Sequence, residues 1–189
     1  MMPLNVPNLV TLSRIVLIPL IVALYYLPES WLSEYSRNTA ATMVFILAAA
    51  TDWLDGYLAR KLNQISAFGA FLDPVADKLI VVGALVVLLY LNRVDVLVGL
   101  IIIGREIAIS ALREWMAKVG QARSVAVAFI GKLKTVSQMI AIPLLLYHDP
   151  LLEVIDCQWL GTILINIAAV LTVASMLYYV RKALPHAAL

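Results

Sequence analysis

The chain is 189 residues long, 63% of them hydrophobic and only 14% charged, with a mean hydropathy of +0.94. That apolar share is far above what a soluble domain carries, so a soluble enzyme is excluded and an integral membrane protein of one domain, residues 1–189, is expected. The formal net charge of +2 singles out no partner, since where charges sit matters more than their sum, and no nucleic-acid partner is expected.

Six apolar runs follow one another, at Leu9 to Leu27, Thr39 to Ala59, Phe68 to Leu91, Val94 to Met116, Val125 to Tyr147 and Leu160 to Val180. Each is near the roughly 20 residues a helix needs to cross a bilayer core. Backbone groups in lipid must be satisfied within the segment, and no run alternates as a barrel strand does. An all-α fold with six transmembrane helices is therefore predicted. No Lys or Arg precedes the first run, unlike a cleaved signal peptide, so the first helix is expected to stay. The single cysteine, Cys157, has no disulfide partner in the chain and no metal-binding spacing, and reads as a small apolar residue near a helix start.

The loops give an orientation. Arg60, Lys61, Lys118, Arg123, Arg181 and Lys182 follow the second, fourth and sixth runs, whereas the loops after the odd runs hold Arg37 and Arg93 beside six acidic residues. Basic residues concentrate on the cytoplasmic side, so both termini are expected there. Charges inside the runs then fall at one depth. Arg14 starts the first helix, Asp52 and Asp55 lie late in the second, and Asp73 and Asp77 early in the third. Arg105, Glu106, Arg113 and Glu114 occupy the later half of the fourth, and Lys132 and Lys134 the first third of the fifth. One such charge costs about 3 kcal/mol at the bilayer centre, so this many together predict a polar cavity open to the cytoplasm. Arg14 suits either that cavity or a snorkelling position at the interface. Aromatic residues at run ends, including Tyr25, Trp115, Tyr147, Tyr178 and Tyr179, suit interfacial belts. An ion or proton transporter also carries intramembrane carboxylates, but here the outer half of every run is apolar and duplicated halves are lacking.

The four aspartates come in pairs. Asp52 and Asp55 stand three apart and Asp73 and Asp77 four apart, so each pair projects from one face of its helix, and the polar link Lys61 to Ser66 folds the pairs together. Carboxylates converging at low dielectric repel, and must either take up protons or hold cations. With no His or Cys nearby, an all-oxygen site suits Mg²⁺ or Mn²⁺, and more than one ion. Gly56 and Ala59 leave a bare stripe beside Asp52, Gly69 does the same before Asp73, and Arg60 offers a fork of donors to a phosphate oxygen.

The whole pattern, Asp52-x2-Asp55-Gly56-x2-Ala59-Arg60-x8-Gly69-x3-Asp73-x3-Asp77, resembles at every fixed position the signature of the CDP-alcohol phosphatidyltransferase family. Pro7 to Thr11, Arg105 to Glu114 and Gly131 to Thr135 extend the likeness over nearly the whole chain, to bacterial members that use sn-glycerol 3-phosphate. The resemblance implies transfer of the phosphatidyl group from CDP-diacylglycerol to sn-glycerol 3-phosphate, giving phosphatidylglycerol phosphate and CMP. It also implies a homodimer among membrane lipids, in a bacterial inner membrane, with two metal ions. It makes Asp52, Asp55 and Asp73 metal ligands, with Asp77 completing the site and acting as catalytic base. Asn8, Thr11, Gly56, Arg60, Ser66 and Gly69 match positions around the CDP-diacylglycerol pocket.

The family also uses serine or inositol phosphate as acceptor, so the basic residues must narrow the choice. Arg113 and Lys132, helped by Arg105, are expected to hold the phosphate of glycerol 3-phosphate, with Lys134 behind them or at the interface. Lys132 and Lys134 point about 200° apart on a helix, so the two cannot serve one ligand equally. Arg105 with Glu114, or Glu106 with Arg113, remain possible as bracing ion pairs.

Overall fold

A computed structural model describes residues 6–61, 67–120, 129–151 and 154–184. Those residues form six helices: α1 Val6–Tyr26, α2 Glu34–Lys61, α3 Ala67–Tyr90, α4 Val96–Lys118, α5 Phe129–Tyr147 and α6 Cys157–Ala183. The only extended pairing among them is a bridge between Leu151 and Ile155. Each predicted run contains one of these helices, and the all-α expectation holds for the described residues.

Helix ends are set by capping rather than by hydropathy. α2 begins before its apolar run because Ser33 Oγ accepts the Ser36 N–H at 3.3 Å, satisfying one of the orphan donors of a first turn. Asp95 and Asp156 cap α4 and α6, accepting from the Leu97 and Trp159 N–H groups at 2.8 Å. α3 ends in a Schellman motif: Arg93 N–H donates to Leu88 O, Asn92 N–H donates to Leu89 O, and Asn92 takes φ 55°. α5 stops on left-handed His148, φ 69°, whose N–H reaches Leu144 O at 3.0 Å.

Asp149 N–H reaches Tyr147 O at 2.8 Å, which leaves the Leu145 and Leu146 carbonyls to be satisfied from elsewhere. Arg93, delivered by the end of α3 and only 7% exposed, donates to Leu145 O at 3.2 Å and Leu146 O at 2.8 Å. It also donates to Asn38 Oδ1 at 3.0 Å, tying three helices together at this end. The sequence reading counts Arg93 only as a loop charge. Cys157 is buried, as a packing residue requires.

α1 lies against α2 and α3, α5 against α6 and α2, and α4 against α6. Ile21, Phe45, Ile80, Leu88, Ile142 and Ile165 are among the buried residues of the main core, while Ile109, Met116, Tyr179 and Ala183 form a smaller one between α4 and α6. Gly161 brings α6 onto α5: a Cβ there would lie 2.7 Å from Leu145 Cγ and 3.3 Å from Ala141 O. Outside the core, large apolar side chains are exposed on every helix, among them Leu20, Leu47, Phe71, Leu100, Val136 and Val170. Among the described residues two stretches, Asn8–Tyr26 and Cys157–Ala183, are long and apolar enough, by length and composition, to cross a membrane.

Candidate active site

Helices that alternate in direction bring the start of α1, α3 and α5 to the same end as the finish of α2, α4 and α6. At that end lies a cavity of about 380 Å³ lined from all six. Its polar lining is Arg14, Asp77, Lys78, Arg105, Glu106, Arg113, Lys134, Thr135, Gln138 and Tyr179, and Ala48 and Ala49 leave room on the α2 side.

The α1–α3 wall is built from matched turns. Thr11 Oγ1 donates to Asp73 Oδ1 at 2.7 Å, and one turn on Arg14 forms an ion pair with Asp77. The side chain of Arg14 is 1% exposed and that of Asp77 42%, so the arginine comes from the core and the carboxylate faces the opening. Arg14 therefore lines the cavity and does not snorkel. Asn8 and Gly69 are buried one turn before Thr11 and Asp73.

The opposite wall gathers cations around one carboxylate. Glu106 Oε1 pairs with Lys134 Nζ and lies 3.4 Å from Arg105 Nη1. Arg105 Nη2 donates to Ser175 Oγ at 3.2 Å, while its Nε has no partner among the described residues. Gln138 Nε2, also buried, is likewise without one. The Arg105 and Arg113 guanidiniums stand 5.8 and 5.4 Å from the centre of the Tyr179 ring, within cation–π reach. Arg113 has no ion pair among the described residues and is solvent-exposed.

Several sequence expectations change here. Lys134 is buried in the cavity wall, whereas Lys132 is exposed and does not line the cavity. The two-residue spacing does separate them, but with the inward and outward roles exchanged, because rotation of α5 about its axis is fixed by packing against α6. Glu106 pairs with Lys134 and Arg105, not Arg113, and Glu114 pairs with Lys118 at 2.8 Å on the exposed face. Tyr179 is fully buried under the two arginines, not in an interfacial belt. Lys78, Thr135 and Gln138 are additions. The last two were legible, since Gly131, Lys134, Thr135 and Gln138 follow the i, i+3, i+4, i+7 stripe of one helix face.

Asp52, Asp55, Gly56 and Arg60 fall in the C-terminal part of α2, but their side chains, and Ser66 altogether, lie outside the described residues. Among the described residues no three carboxylate, His or Cys groups meet as a metal site. Asp73 and Asp77, on successive turns of α3, do supply the oxygen-only donors that a hard divalent cation prefers.

A helical bundle with a polar chamber that combines carboxylates with several cations, two of its buried donors without a partner among the described residues, suits a phosphorylated ligand. The chain belongs to the CDP-alcohol phosphatidyltransferase family, whose description matches residues 4–174. It is 48% identical over 184 residues, 96% of each chain, to the CDP-diacylglycerol–glycerol-3-phosphate 3-phosphatidyltransferase of Shigella flexneri serotype 5b (strain 8401). The proteins of the same name from Shigella boydii serotype 4 (strain Sb227) and Escherichia coli (strain K12) match to the same extent.

Proposed function

We propose that this protein is a phosphatidylglycerophosphate synthase, transferring the phosphatidyl group of CDP-diacylglycerol to sn-glycerol 3-phosphate with release of CMP. The observation that carries this is the cationic wall of Arg105, Arg113 and Lys134 facing Asp77 across one chamber, in a chain 48% identical to enzymes named for that reaction. A volume of about 380 Å³ falls within the roughly 300–1,000 Å³ of small-ligand sites.

Arg113, Arg105 and Lys134 hold the acceptor phosphate, with Lys78 as a further cation at the rim. Asp77, positioned by Arg14, takes the proton of the acceptor hydroxyl as its oxygen bonds to the phosphatidyl phosphorus and the bond to CMP breaks. Asp52, Asp55, Asp73 and Asp77 would hold two Mg²⁺ or Mn²⁺ ions. Bound there, such ions neutralise a diphosphate and stabilise entering and leaving oxygens. Thr11 keeps Asp73 in one orientation, and Asn8, Gly56, Arg60, Ser66 and Gly69 border the nucleotide.

All six helices span the inner membrane in this reading, with both termini and the chamber cytoplasmic and the enzyme a homodimer. Their lengths support it: α5, the shortest with 19 residues, reaches about 28 Å, close to the roughly 30 Å of a hydrocarbon core. Purified protein in detergent should release CMP from CDP-diacylglycerol only when sn-glycerol 3-phosphate and Mg²⁺ or Mn²⁺ are both present, and lose this with a chelator. Release with serine or inositol phosphate alone moves the acceptor, and no release with any alcohol removes the reaction.

A further inference from the structure

The chamber holds one acidic group whose purpose the reaction leaves open. A site that needed only charge to hold a phosphate dianion would not place a carboxylate among its cations, because the carboxylate weakens their field. Glu106 stands there nevertheless, 15% exposed at its side chain and lining the cavity. Its two oxygens are used differently. Oε1 serves Lys134 and Arg105 together, and Oε2 takes part in neither bond. An ionised carboxylate can only accept, so Oε2 is an acceptor for a donor entering the chamber.

The acceptor assigned above, on which this step rests, carries one such donor. Besides its phosphate and its attacking primary hydroxyl, sn-glycerol 3-phosphate has a secondary hydroxyl on the carbon between them. With the phosphate on Arg105, Arg113 and Lys134 and the primary hydroxyl turned to Asp77, that hydroxyl lies between the two, in the chamber that Glu106 lines. We propose that Glu106 sets acceptor specificity, its Oε1 holding Lys134 and Arg105 toward the phosphate while its Oε2 accepts the secondary hydroxyl of the acceptor. The substrate class it selects is a vicinal diol phosphate over a simple hydroxyalkyl phosphate. A hydroxyl bonded to a charged, water-poor carboxylate discriminates more sharply than a shape-matched apolar pocket.

The test compares sn-glycerol 3-phosphate with 3-hydroxypropyl phosphate, which keeps the phosphate and the primary hydroxyl and lacks the secondary one. The unmodified enzyme should prefer the diol by about 10- to 100-fold in kcat/KM, the range of a hydrogen bond to a charged group. In Glu106→Ala the preference should shrink to about twofold or less, with KM for CDP-diacylglycerol unchanged; in Glu106→Gln, closest in shape, it should fall to an intermediate value. Equal use of both phosphates by the unmodified enzyme overturns the proposal without any variant. So does a Glu106→Ala enzyme that is slower on both by one factor, since Glu106 then only positions its two cations. If neither phosphate supports CMP release while another alcohol does, the acceptor reading itself is lost. If glycerol 3-phosphate is used without preference, that reading stands and the role of Glu106 alone falls.

Discussion

The two lysines at the start of α5 show how much one residue's direction decides. Lys134 is buried in the wall, 3% exposed, and Lys132 is outside it. Lys134→Ala should therefore raise KM for glycerol 3-phosphate about tenfold or more, the loss of a charge-assisted bond, while Lys132→Ala stays close to the unmodified enzyme. Steady-state kinetics in both substrates check this, and equal effects of the two variants would return Lys132 to the site. Arg14 makes a different kind of contribution, because it touches Asp77 and not the substrate in the proposed reaction. Arg14→Ala should cost about 100-fold in kcat with little change in either KM, the scale of a misaligned reacting group, and Arg14→Lys should recover part of it. A loss confined to KM would make Arg14 a ligand contact instead. Most charged members of the site, though not Lys78, were legible in the sequence because each charge in an apolar run has a solvation cost that demands an explanation. Thr135, Gln138 and Tyr179 carry no such cost, and only their helix stripe or their neighbours reveal them.

At the scale of the helix, the apolar runs located all six elements, since a bilayer-length stretch admits little else. Their ends and mutual rotation were not legible from hydropathy. Ser33 extends α2 by a hydrogen bond, and Asn92 and His148 stop their helices by turning left-handed. Arg93 illustrates the consequence: in the sequence it is one basic residue in a short loop, and in the fold it satisfies buried carbonyls at the end of α5. Arg93→Ala should destabilise the protein by about 3 kcal/mol, the cost of leaving buried acceptors unpaired, while kcat of the folded fraction is kept because the chamber is at the opposite end. Thermal unfolding in detergent, followed beside CMP release, separates the two quantities. Gly161→Ala tests close approach in the same way. Its added methyl meets the branch of Leu145 and a backbone oxygen that cannot rotate away, so about 1–3 kcal/mol should be lost. Unchanged stability in that variant would mean that α5 and α6 separate more easily than their packing implies.

For the whole molecule, exposure and charge argue together. Large apolar side chains are exposed on every helix, a surface that water would not tolerate and lipid does, while the charged chamber is lined near one end of the bundle. The proposed orientation then rests on Lys118, Arg181 and Lys182 at the chamber end, against Glu29, Asp149 and Asp156 at the other. The proposed substrates call for the same direction, because glycerol phosphates are cytoplasmic solutes. Cysteine labelling can test it with little background, since native Cys157 is 1% exposed. Val154, 84% exposed, and Lys118, with its side chain 72% exposed, provide positions at opposite ends. In intact spheroplasts a membrane-impermeant maleimide should modify Val154→Cys and spare Lys118→Cys, and permeabilisation should expose the second. The reverse pattern would turn the chamber outward, away from its substrates. Modification of both from outside would mean that α5, the one helix between them, fails to cross, and the proposed six-span arrangement would have to be abandoned even though the chamber itself remained.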